Sequence, residues 1–221
     1  MAATGQGLST KMIIEQLQVG NFAVFAYVVG CPETGEGIVI DPAAEVGRIL
    51  KAAGDRGIAV IKYIVNTHAH ADHAGGNREL KERTGAQVII HRDDAERLAN
   101  APDFILQMFC CEASPPADRT VVDGERIEFG RQHLTVMHTP GHTAGGMCLY
   151  APGHVFTGDT LFVGGIGRTD LPGGSMRELL GSIKQKLLAL PDDTIVYPGH
   201  NYGVSARSTI GQEKQFNPFT R

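Results

Sequence analysis

Thr67-His68-Ala69-His70-Ala71-Asp72-His73-Ala74-Gly75-Gly76 places three imidazoles and a carboxylate within six residues. The run follows directly on residues 59–66, a short β-rich stretch, so these side chains leave the end of a strand. Histidine suits zinc and iron, and aspartate either ligates or orients a bound water. Ala69, Ala71 and the glycines leave room for the chain to bend around an ion. Three further segments end strands in the same manner: Thr139-Pro140-Gly141-His142-Thr143, Thr157-Gly158-Asp159-Thr160 and Tyr197-Pro198-Gly199-His200-Asn201. Each presents one ligand-type side chain in a glycine-containing turn just beyond an apolar run, where rigid scaffolds carry functional groups. Seven such residues in four similar turns point to a metal centre. His91, His133, His138 and His154 lack such company and read as surface or hydrogen-bonded residues.

Outward from these turns, strands are expected at residues 12–19, 22–30 and 37–41. A helix carrying Val46, Ile49, Leu50 and Ala53 follows, ended by Gly57. A second helix is expected over residues 77–83 and a strand over Gln87–His91. Residues 102–119 hold an apolar patch (Phe104, Ile105, Leu106, Met108, Phe109) that reads as a loop over a pocket or as ordinary core. Residues 121–129 resemble a hairpin around Asp123-Gly124. Strands at residues 134–138, 146–151 and 154–157 precede a helix with Met176, Leu179, Leu180, Ile183, Leu187 and Leu188 on one stripe, stopped by Pro191. A last strand, residues 194–197, leads to His200. Strands in long runs with helices between the groups suggest two sheets covered by helices outside.

The 221 residues are expected to form one domain, with 42% hydrophobic residues supplying its core. A net charge of −4 with interspersed signs gives no footprint for nucleic acid, and no apolar run is long enough for a membrane span. Residues 1–11 are small and polar, a flexible N-terminal segment without the pattern of a secretion signal. Cys31, Cys110, Cys111 and Cys148 show no metal-site spacing, and the adjacent pair makes poor disulfide partners. A reduced, cytoplasmic setting is expected.

The order H-x-H-x-D-H, then separate His, Asp and His positions, resembles the metallo-β-lactamase-fold hydrolases over nearly the whole chain. The resemblance implies an α+β fold, an αββα sandwich of two mixed sheets with helices on the outer faces. The site would lie at one edge between the sheets. It further implies two divalent metal ions, zinc first, with iron or manganese as alternatives. His68, His70 and His142 would hold one ion, Asp72, His73 and His200 the other, and Asp159 would bridge them. Asp72 would also be catalytic, orienting the attacking hydroxide.

Within the family, Gly158-Asp159-Thr160-Leu161-Phe162 is similar to the glyoxalase II-like branch, which hydrolyses glutathione thioesters. By position Arg168, in Gly165-Ile166-Gly167-Arg168-Thr169-Asp170, and Tyr202 match substrate contacts of that branch. The partner implied is a small-molecule, glutathione-derived thioester. The chain ends before the C-terminal helical domain of the full-length enzymes and lacks a second tyrosine near Asp170. It is similar to the short forms, which share Gly-Arg-Thr-Asp and an ending like Asn217-Pro218-Phe219. The rival is the persulfide dioxygenase branch, with one iron on positions matching His68, His142 and Asp159, a set suited to non-haem iron. Thr160-Leu161-Phe162 and Pro198-Gly199-His200 favour the hydrolase. A β-lactamase is disfavoured by Asp159, a nuclease by the charge, and a non-catalytic structural site by the seven ligands, since such sites are four-coordinate and closed.

Overall fold

The computed structural model of the protein describes residues 12–221; the expected flexible segment, residues 1–11, lies outside them. One six-stranded sheet runs β1 (Ile13–Val19), β2 (Val24–Gly30), β3 (Glu36–Ile40), β4 (Val60–Val65), β5 (Gln87–His91) and β6 (Arg119–Val121) in spatial order. Its first three strands are antiparallel neighbours, and β3 to β6 are parallel. The second sheet begins with an antiparallel meander, β7 (Arg126–Phe129), β8 (Gln132–His138), β9 (Met147–Ala151) and β10 (His154–Gly158). A small hairpin follows, β11 (Leu161–Phe162) with β12 (Gly165–Ile166). Then β13 (Ile195–Pro198) pairs parallel with β10, and β14 (Ser208–Thr209) closes that edge.

Strand β2 explains the layering. All seven of its residues are buried, because side chains alternate between the two faces of a sheet that has a core on each. Val24, Ala26 and Val28 pack outward with Val46, Ile49 and Ala53 of α1 (Val46–Asp55) and with Leu80. Phe25, Tyr27 and Val29 pack inward against Phe129, Leu134, Leu149 and Phe156 of the second sheet. A third cluster covers the far face of that sheet with Leu179, Ile183, Leu187 and Ile210. The result is the αββα sandwich.

The chain between the sheets departs from the expected hairpin at residues 121–129. β6 pairs parallel with β5, and β7 pairs antiparallel with β8, so Asp123-Gly124 is a crossover from one sheet to the other. Gly124, at φ +80, bonds Val136 O across the gap, and Asp123 Oδ1 accepts from His138 N. The stretch at residues 102–119 is neither a bare loop nor core. It contains a short helix, Asp103–Phe109, that buries none of its residues; Phe104 is 64% and Met108 59% exposed. The late helix spans Met176–Ser182 and widens into a π-helical turn, Ile183–Leu187. Leu179, Ile183 and Leu187 face the sheet, whereas Met176 and Leu180 are exposed.

Three hydrogen bonds help fix the edge where the sheets meet. Phe25 N donates to Gly199 O at 2.8 Å, and Asn201 N donates to Ala23 O at 2.9 Å. The Tyr27 hydroxyl donates to Pro198 O at 2.5 Å in the buried interior. The turn carrying His200 is thereby tied to the first sheet, which carries the 67–76 run.

Candidate metal centre

All four ligand-bearing turns end at this edge. His68, His70 and His142 present nitrogens within 4.8 Å of one another, and so do the donor atoms of Asp72, His73 and His200. Asp159 lies between the two groups, 3.3 Å from His73 Nε2, 3.4 Å from His142 Nε2 and 3.5 Å from His200 Nε2. All seven residues expected from the sequence are therefore brought together. Gly199 makes the closeness possible, since any side chain there would strike Asp159 Oδ1.

The hydrogen bonds decide which imidazole nitrogen is free. Thr67 Oγ1 gives its single proton to Asp41 Oδ2 at 2.7 Å, so it must accept from His68 Nδ1 at 3.0 Å. His73 Nδ1 donates to Asp41 Oδ2 at 3.0 Å, His142 Nδ1 to Arg168 O at 2.7 Å, and His200 Nδ1 to Phe22 O at 2.8 Å. With Nδ1 occupied in each, four rings turn Nε2 inward, the arrangement that orients histidine for a metal. The inward nitrogens crowd together: His70 Nδ1 and His142 Nε2 are 2.9 Å apart, and His73 and His200 Nε2 are 3.1 Å apart. A tetrahedral zinc with bonds of about 2.0–2.1 Å sets its ligand nitrogens about 3.3 Å apart, so each pair needs little adjustment. His68 Nε2, His70 Nε2 and Asp159 Oδ1 are buried with no hydrogen-bond partner, a state costing about 1–3 kcal/mol per group unless something satisfies it. These His and Asp clusters are suited to a dinuclear metal site.

Electrostatics separates the groups. Burial, with His73 nearby, holds His68 well below the usual histidine range, and burial with His142 pushes His70 down to about 3. Both are neutral at pH 7, the form that offers a lone pair. Burial also disfavours charge on His73, but Asp159, Asp41 and Asp72 together overcome it and raise that ring. Burial likewise opposes ionisation of Asp159, and His73 and His200 more than reverse it, so this carboxylate is ionised.

Asp41 escaped the sequence reading. It sits at φ +48 just after β3, and takes Thr67 N and Oγ1 and His73 Nδ1 on its two oxygens. Its oxygens are thus spent on orientation, although it clusters with His68 and His73. Nothing in the sequence singled it out, since its left-handed backbone and its partners appear only in the fold.

The two residues expected to contact substrate are exposed and adjoin ligand histidines. Tyr202 is 61% exposed and stacks on His200, centroids 4.4 Å apart at 10°. Arg168 is exposed, and its guanidinium grips Asp170 through bonds of 2.8 and 2.7 Å, which holds the Asp170 carboxyl down to about 2. What Arg168 gives the centre is its main-chain carbonyl, on His142. Phe22 and Phe109 meet edge to face, 4.6 Å apart, beside Asp72.

A third cluster, His91, Asp93 and His138, also gathers potential ligands. Its two rings stack at 4.0 Å and 11°, so their in-plane lone pairs run side by side instead of converging on an ion. Both rings are hydrogen-bonded: His91 Nδ1 accepts from Asp93 N at 3.3 Å, and His138 Nε2 donates to Ala144 O at 2.9 Å.

A profile of the Metallo-beta-lactamase superfamily matches residues 19–200. The chain belongs to this superfamily. Among curated relatives, "Hydroxyacylglutathione hydrolase" of Polaromonas sp. is 33% identical, over 95% of this chain and 86% of its own. "Persulfide dioxygenase ETHE1, mitochondrial" of Homo sapiens is also 33% identical, over 96% and 77% respectively. Among solved structures, the BLEG-1 B3 metallo-beta-lactamase superposes with TM-score 0.84 at 31% identity, covering 94% of this chain and 99% of that one. TTHA1623 in a di-iron-bound form gives 0.81 at 33% identity, covering 93% and 99%. The superfamily's fold and metal-binding character therefore apply here. No helix among the described residues is long and apolar enough to cross a membrane.

Proposed function

We propose that this metallo-β-lactamase-fold protein hydrolyses a thioester, of the acyl-glutathione class, at a two-ion centre. The observation that carries this reading is the place of Asp159, within 3.5 Å of histidines from both ligand groups. His68, His70 and His142 would hold one divalent ion, Asp72, His73 and His200 a second, with Asp159 shared. Such ions, zinc first and iron or manganese next, supply Lewis acidity that acidifies water and polarises a carbonyl.

The chain's own residues do the rest. Asp72, the more exposed carboxylate of the centre, faces the mouth beside Phe22 and Phe109 and would align the attacking water. Tyr202, stacked on His200, would support the substrate, and Arg168 would take a substrate carboxylate by exchanging Asp170 for it. A thiol with a pKa of about 8.5 departs as thiolate without a strong general acid, so none is needed from the protein.

A second reading, a persulfide dioxygenase with one iron on His68, His142 and Asp159, has the human relative in its favour. Hydrolysis is preferred because Thr160-Leu161-Phe162 and Pro198-Gly199-His200 are similar to the hydrolase branch at the positions where the two branches differ. The test runs on one preparation loaded separately with zinc and with iron, given S-lactoylglutathione and then glutathione persulfide. Thiol release without oxygen consumption is expected. Iron-dependent oxygen uptake with inert thioesters would replace this function with the second.

A further inference from the structure

Asp94 is an aspartate with no assigned role, 1% exposed, in the 3-10 turn Arg92–Asp94 that follows β5. Its carboxylate spends both oxygens on the two loops that carry the all-histidine group. Oδ2 accepts from Ala69 N at 2.9 Å, the amide between His68 and His70. The same oxygen accepts from Thr143 Oγ1 at 2.7 Å, the residue after His142, and Oδ1 accepts from Gly145 N at 2.8 Å. Gly145 permits this approach: a Cβ there would stand 2.8 Å from Asp94 Cγ. The loops are 74 residues apart in sequence, counting from Ala69 to Thr143, and this carboxylate joins them directly.

We infer that Asp94 is a positioning residue that sets the His68–His70–His142 group as a unit and has no part in holding Asp72, His73 and His200. The inference rests on the ligand reading proposed above. Three donors into one buried carboxylate form a charge-assisted set, stronger than neutral bonds of the same number. The opposite group makes no bond to Asp94: Asp41 supports His73, and through Thr67 also reaches His68, while Phe22 O holds His200. An asparagine cannot replace the carboxylate, because its amide end would turn a donor towards a backbone N–H or leave that N–H unbonded.

The test titrates the metal-stripped full chain with zinc against a chromophoric chelator, for wild type and for Asp94→Asn, Thr143→Val and His142→Ala. Wild type should bind two equivalents, and His142→Ala should mark which of them belongs to the histidine group. Asp94→Asn is expected to weaken that equivalent roughly 10–100-fold while the other stays within about twofold. Thr143→Val keeps both amide donors and should weaken the same equivalent by less. Equal weakening of both equivalents, or a lowered Tm with both affinities intact, overturns the positioning role. If Asp94→Asn does not fold, Thr143→Val decides by the same criterion. A wild-type chain binding fewer than two equivalents would instead strike down the ligand reading, and the inference with it.

Discussion

His68, His70 and His142 form a nitrogen-only group oriented by neutral partners, the Thr67 hydroxyl and the Arg168 carbonyl. Asp72, His73 and His200 sit among carboxylates, with Asp41 behind His73 and Asp159 in front of it. In the first group, burial keeps His68 and His70 neutral. The second reaches the mouth through Asp72, and its acids draw a proton onto His73. The difference teaches that the two halves are prepared for a cation in different ways. One offers preformed lone pairs; the other offers negative charge and must release a proton first.

The sharpest way to break this contrast is Asp72→Ala. It removes the only carboxylate belonging to the second group alone. kcat is expected to fall on the order of 10²–10³-fold, with KM changed less than about threefold and the histidine group still loaded. Steady-state kinetics beside metal analysis decides, and a variant with full kcat would show that Asp72 is misplaced in this account.

Acidity should separate the halves next. His73 is raised, so at neutral pH it holds a proton that the second ion must displace. Lowering pH therefore weakens that ion, by about tenfold per pH unit below the His73 pKa. His70, titrating at about 3, and His68, held well below the usual histidine range, stay neutral throughout this range, so neither releases the first ion. Zinc titrations between about pH 8 and 6 should show one equivalent losing affinity and the other steady; parallel loss would erase the distinction.

The smallest effect is expected from Arg168→Ala. The bond to His142 comes from its main-chain carbonyl, so both ions should remain. KM for an acyl-glutathione should rise about tenfold, the low end for a lost charge-assisted bond because leaving Asp170 offsets part of the gain. An unchanged KM, or loss of metal, would contradict the separate roles given to its side chain and carbonyl.

The ligand set was legible because its residues cluster in like turns at strand ends, a local pattern. What supports the ligands was not. Asp41 and Asp94 each look like one more aspartate after a strand, and their partners lie 25 to 51 residues away. The crossover at Asp123-Gly124 was misread because the same glycine turn serves a hairpin, and β6 finds its partner in the distant β5. A final helix, Ile210–Phe216, gave no apolar stripe. It is held by a Thr209–Gln212 capping box and by Glu213, which accepts from Gly164 N and Asn217.

Metal stoichiometry tests the central claim most directly. The full chain, reconstituted with zinc and freed of excess, should carry about two ions per molecule by elemental analysis, since two ligand groups share Asp159. No bound ion, or a single ion that stays single at rising zinc, would contradict a two-ion centre.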